Sequence, residues 1–150
     1  MALVRLRSFL GDRRGTVMIE TAFVAPVLVM MALGSFDASR MVARQAELQS
    51  AAAEAASIVQ TSPPQDAAAR DTIRNVLKAS TGLDDEHVVV AEIYRCDSDP
   101  AYVLTKTCAA TSHVSTFVRV TLTDSYSPVW TNFGVGSALQ YDVVRTVQVS

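Results

Sequence analysis

Hydrophobic positions run almost unbroken near the N-terminus and become periodic afterwards. From Gly15 to Phe36 the chain reads GTVMIETAFVAPVLVMMALGSF, and Glu20 is the single ionisable side chain between Arg14 and Asp37. At about 1.5 Å per helical residue, such a run can cross a hydrocarbon layer of about 30 Å, which predicts a transmembrane helix over 16–36. From Asp37 to Gln60 there is no Gly or Pro and alanine dominates. Met41, Leu48, Ala52, Ala55 and Val59 fall on one helical face, with Arg40, Arg44, Glu47 and Glu54 on the other. The helix is therefore expected to continue over 37–62 as an amphipathic stalk whose apolar side rests on a folded domain. A free polar linker would not combine high helix propensity with a periodic face.

Thr61-Ser62-Pro63-Pro64 ends that helix, because each proline removes a backbone donor and restricts its predecessor. A second helix is predicted from Gln65 or Asp66 through Ile73, Val76 and Leu77 to about Ala79, with Gly82 placed as its C-terminal cap. The remainder reads as strands. His87–Arg95 carries Val88, Val89, Val90 and Ile93; Ser115–Thr123 alternates Val118, Val120 and Leu122 against Arg119, Thr121 and Thr123; Leu139–Val149 places Tyr141, Val143 and Val147 at period two. The fold class is α+β: a long N-terminal helix, a second helix, and a small antiparallel sheet of about three strands in a domain spanning 63–150. One sheet face is expected to lie under the helices.

The apolar run is irregular where a plain anchor would be uniform. A carboxylate at the centre of a span costs about 2.5–3.5 kcal/mol on insertion scales, so Glu20 is either functional or solvated near an interface. Upstream, Arg5, Arg7, Arg13 and Arg14 face only Asp12, a basic leader that favours a cytoplasmic N-terminus and sends the C-terminal bulk across the membrane. A secretory signal peptide also begins this way, and Ala32-Leu33-Gly34 could serve as its cleavage site. The apolar stretch, however, flows on into more helix-forming sequence.

Arg13-Arg14-Gly15 followed by Thr16-Val17-Met18-Ile19-Glu20 resembles the type IV prepilin leader: a basic segment, a glycine, and a glutamate five residues on. With Pro26, Gly34 and Asp37, the first third of the chain is similar to the TadE-like minor pseudopilins of Tad (Flp-type) pilus systems. The resemblance implies a leader over 1–15, cut between Gly15 and Thr16 by a prepilin peptidase, with Glu20 setting subunit register and Pro26 letting the helix bend. It also implies a bacterial inner-membrane protein with a periplasmic domain. Its partners would be other pilins or pseudopilins and the Tad assembly platform, and its place would be priming assembly or the pilus tip. Major Flp pilins usually carry an aromatic after the glutamate and little beyond the helix. Here Thr21 follows Glu20 and a sizeable domain follows the helix, which favours a minor subunit.

A net charge of −2, from thirteen basic and fifteen acidic residues, gives no electrostatic case for nucleic acid. Cys96 and Cys108 lie in or beside the connection between the first two strands, and an even cysteine count in an exported domain favours a disulfide over a metal site, for which neither His87 nor His113 completes a ligand pattern. Asp84-Asp85-Glu86-His87 lacks the alternating carboxylates and turn glycine of a calcium loop and reads as a solvated turn. His113 reads as a loop or strand-edge residue. With no nucleophile elbow or phosphate-cradling loop, no catalytic residue, cofactor or small-molecule substrate is expected.

Tyr126, Trp130 and Phe133 gather in a Pro/Gly-bearing connection, either as a partner contact or, the favoured reading, as a cover for the sheet end. Two functions remain open: a pseudopilin-like structural subunit, or an uncleaved single-span protein with a periplasmic binding or accessory domain.

Overall fold

The computed structural model describes residues 14–97 and 99–150. The expectations for the basic leader, resting on Arg5, Arg7, Asp12 and Arg13, lie outside them. The chain forms α1 (Arg14–Thr61), α2 (Ala67–Thr81), β1 (Val88–Cys96), β2 (Val114–Tyr126), a 3-10 turn (Val129–Phe133) and β3 (Leu139–Gln148). It divides into two compact units, Met1–Arg40 and Met41–Ser150.

In the first unit α1 runs through Pro26 without a break. Proline has no N–H to give the carbonyl four residues before it, so α1 forgoes one hydrogen bond there and still continues as a helix. Thr21 and Ser35 turn their hydroxyls back onto the helix, donating to the carbonyls of Val17 (2.8 Å) and Ala32 (2.9 Å), which hides their polarity inside an apolar surface.

In the second unit the α1 residues Leu48, Ala52, Ala55 and Val59 are buried together with Ile73 and Leu77 of α2 and with Val88, Val118, Val120, Leu122, Tyr141, Val143 and Val147 of the sheet. Alanines at the contact let helix and sheet approach closely, and the larger side chains fill the layer between them. The sheet is an antiparallel meander in the order β1-β2-β3, with Val88 opposite Leu122 and Leu122 opposite Val143. Alternation fixes this register, since a slip of one residue would turn Val118, Val120 and Leu122 away from the helices.

The termini of α2 follow from its sequence. Asp66 is the N-cap, its Oδ1 accepting from the Ala69 N–H at 2.8 Å, an arrangement typically contributing about 1 kcal/mol. Gly82 closes the other end at φ 71°, a left-handed conformation that costs glycine nothing, and its N–H donates to the Lys78 carbonyl at 2.9 Å. Arg70 pairs with Glu92 of β1 at 2.9 Å, tying α2 to the sheet edge.

Two features depart from the sequence reading. Arg44, expected on the solvent face, lies partly buried. Its Nε donates to Asp124 (2.6 Å), and one terminal nitrogen donates to both Glu47 (2.9 Å) and the Thr81 carbonyl (2.9 Å). One side chain thus joins α1, the end of α2 and β2. Burial presses against its charge, but the Asp124 and Glu47 carboxylates more than offset that and raise its pKa. The second departure is on the sheet face away from the helices, which is not bare. Ile93 and Phe117 are buried there, and Tyr102 from the β1–β2 connection meets Phe117 edge-to-face at 5.2 Å. Arg95 lies over the Phe117 ring and Arg119 over Tyr102, at 5.2 and 5.1 Å.

Candidate functional site

From Val17 onward the apolar stretch of α1 is exposed at nearly every position, including Phe23, Leu28, Met30 and Met31. Its most apolar window has a mean hydropathy of 2.0 and none of it is buried, so by length and composition it could cross a membrane. Exposing that many large apolar side chains to water is untenable for a soluble surface, and the stretch calls for lipid or other helices around it. Glu20 is exposed on this helix one turn after Thr16, and Gly15 and Thr16 are in its first turn. Arg40 lies over the Phe36 ring at 5.3 Å, a cation and an aromatic paired just past the apolar run, where a membrane interface suits both.

The cysteines are joined. Cys96, at the end of β1, and Cys108 form a disulfide with Cα atoms 5.6 Å apart. It pins a connection already held at several points. Val103 exchanges both backbone hydrogen bonds with Tyr94 (2.8 and 2.9 Å), and Asp97, in the left-handed region at φ 50°, accepts from the His113 N–H at 2.8 Å. The Ser112 hydroxyl and that N–H hold the Asp97 carboxyl below its usual range. His113 is an exposed loop residue preceding β2.

The three aromatics of the other connection do not act together. Tyr126 packs against the core and Trp130 is half-buried, whereas Phe133 stands 77% exposed. Pro128 is fully buried, so the connection seals the sheet end partly through a residue the sequence did not single out. Gly134 and Gly136 take φ of 74° and 73°, and a Cβ on Gly136 would come within 3.4 Å of the Trp130 ring nitrogen. Those glycines set the path by which Phe133 and Val135 reach the surface.

Among the described residues no group of three or more His, Cys, Asp or Glu could hold a metal ion. The acidic turn is engaged in ion pairs: Lys78 with Asp85 at 2.8 Å, and His87 Nδ1 with Asp84 at 2.6 Å. Each partner stabilises the charge of the other, so Asp84 is shifted down and His87 up.

Residues 15–57 match the sequence profile of a family described as TadE-like protein. This segment is TadE-like. The match begins at the glycine of the leader motif and covers the apolar run and most of the amphipathic helix, the stretch on which the sequence resemblance was drawn. The matched stretch contains the exposed apolar run, which by length and composition could cross a membrane. Comparison with curated proteins and with solved structures returned no match. The TadE-like segment holds Glu20, Pro26 and Arg44, while the disulfide and the aromatic connection lie beyond it.

Proposed function

We propose that the protein is a minor pilin-like subunit of a Tad pilus assembly system, held in the bacterial inner membrane by residues 16–36 with residues 37–150 in the periplasm. A prepilin peptidase removes residues 1–15, and the mature chain enters an assembly primed or tipped by such subunits. The observation that carries this reading is the TadE-like match over residues 15–57, which starts at Gly15. Around it stand an apolar helix whose most apolar window is wholly exposed, a carboxylate five residues after Gly15, and a disulfide suited to an oxidising compartment.

In this reading Glu20 serves assembly. Cleavage before Thr16 creates a positive amine at the start of an apolar helix, and the Glu20 carboxylate of a neighbouring subunit neutralises it. Two charges that would be costly alone in the packed helices become a pair. Pro26, with one hydrogen bond already forgone, lets the helix bend as it leaves the bilayer.

N-terminal mass spectrometry of the purified protein tests the cleavage, with Thr16 expected as the first residue. An intact leader favours a permanently anchored accessory protein, and a start after Ala32 or Gly34 makes the run a signal peptide. Glu20→Ala is expected to leave the domain folded and to reduce recovery of pilus components in a pull-down at equal expression. Equal recovery with normal piliation would remove the assembly role.

A further inference from the structure

We infer that the connection between β2 and β3 is a lipid-seeking foot, which seats Phe133 and Val135 in the membrane interface on the side where the folded unit lies. This rests on the reading that the apolar stretch of α1 crosses a bilayer. Phe133 is 77% and Val135 61% exposed, and Leu139 at the start of β3 is 41% exposed. Between Asp124 and Asp142 there is no Asp, Glu, Lys or Arg, so nothing in the connection carries a charge that headgroup burial would strip of water. The surrounding polar side chains, Ser127, Thr131, Asn132 and Ser137, are neutral. Trp130 lies among them, and tryptophan with phenylalanine is the side-chain mixture that settles at the level of lipid headgroups.

The fold brings this connection to the end of the unit at which α1 enters it. Tyr141, two residues into β3 from Leu139, donates its hydroxyl to the carbonyl of Met41 at 3.2 Å, and Asp124, two residues before Tyr126, is bound to Arg44. The β2–β3 connection therefore leaves the sheet beside the first turns of α1 within this unit. In the sequence Met41 follows Phe36, the last apolar position of the run, by five residues. The other inter-strand connection, residues 97–113, carries Asp97, Asp99 and Lys106 and emerges from the opposite end of the meander. The uncharged, outward-apolar connection is thus the inter-strand connection at the end of the unit where α1 enters it. The occupant that fits is the lipid surface itself, with neutral hydroxyls and amides meeting headgroups and Phe133 and Val135 entering the acyl boundary.

Trp130 is the only tryptophan, which makes it a native probe. The full-length protein is reconstituted into vesicles of phosphatidylcholine and phosphatidylglycerol, with or without brominated acyl chains, and followed by flotation and tryptophan emission. Flotation with Trp130 quenched by the brominated lipid is expected. Phe133→Asp should abolish most of that quenching with flotation and thermal unfolding unchanged, since Phe133 lies outside the core; Val135→Asp should act in the same direction. Flotation with unquenched Trp130 in the wild type overturns the foot and leaves the span standing, and a connection reserved for a protein partner would give that result. Failure to float overturns the membrane reading and the foot together.

Discussion

The apolar and amphipathic stretches of α1 share a helical backbone, yet residues 17–36 expose Phe23, Leu28 and Met30 while residues 41–59 bury Leu48, Ala52 and Val59. Both are alanine- and aliphatic-rich, so hydrophobicity alone does not separate them. What differs is arrangement. In the first, apolar residues surround the helix and leave no polar face to meet water; in the second they keep to one stripe, and Arg44, Glu47 and Glu54 line its borders. A helix that is hydrophobic all round needs an apolar environment supplied by something else, whereas a striped helix creates a core with whatever packs against the stripe. One continuous helix thus carries two kinds of surface.

The sharpest way to break the comparison is to make one equivalent truncation in each stretch. Leu48 is fully buried, and Leu48→Ala is expected to destabilise the folded unit by about 2–5 kcal/mol. Phe23 is 75% exposed, and Phe23→Ala should leave the denaturant midpoint of that unit unmoved. A common shift in urea titrations of the two variants would mean that both stretches belong to one cooperative core.

The disulfide comes next. Closing the loop between Cys96 and Cys108 should contribute about 3 kcal/mol to the second unit, so a Cys96→Ser, Cys108→Ser double variant should unfold at lower urea. Membrane extraction of the apolar helix, which the bridge does not touch, should be unchanged. Alkylation without reductant is expected to label neither cysteine in the native protein.

Arg44→Met keeps the length of the side chain and removes its hydrogen bonds. The loss leaves Asp124 and the Thr81 carbonyl without the guanidinium and should cost about 1–3 kcal/mol by chemical denaturation. Arg40→Met, on the other side of the boundary between the stretches, should cost the folded unit nothing measurable.

The smallest effect is that of pH. His87 is raised above its ordinary 6.5 by Asp84, so its contribution is complete below that value and fades as pH climbs through the folded-state pKa. Asp84 is lowered below 3.8 by His87, so its contribution is complete above that value and fades as pH falls through its folded-state pKa. Stability of the second unit should carry a shallow plateau between those ordinary values, and His87→Ala should flatten it. An unchanged profile in the variant would show the contact to be idle in solution.

Much of the architecture was legible because it rests on local rules. Pro63 and Pro64 stop α1, Asp66 and Gly82 bracket α2, and period-two patterning marks the three strands. The Arg44 cluster was not legible, since its partners Thr81 and Asp124 are far along the chain and an arginine beside a helix stripe reads as solvent-facing. The packing of Tyr102 on Phe117 escaped for a related reason. Phe117 is out of phase with Val118, Val120 and Leu122, and that phase was the signal that something covers the other face. At the candidate site, the cysteine pairing followed from compartment and count. The split of the aromatic connection into a packed Tyr126 and an exposed Phe133 depends on the path through Gly134 and Gly136.

The hydrogen bond from Tyr141 to Met41 spans 100 residues and the Arg44 contact to Asp124 spans 80. Contacts of such separation close late, and a chain emerging at roughly 5–20 residues per second must hold its helix without a lid until the last strand arrives. The meander can zip between neighbours as it appears, but the stripe of Leu48, Ala52 and Val59 waits for Val143 and Val147 to complete its cover. Until then an apolar helix face stands open on a partly folded chain, where other proteins can reach it. A chain ending before Leu139 would leave that stripe half covered, so completion of this core waits on the third strand.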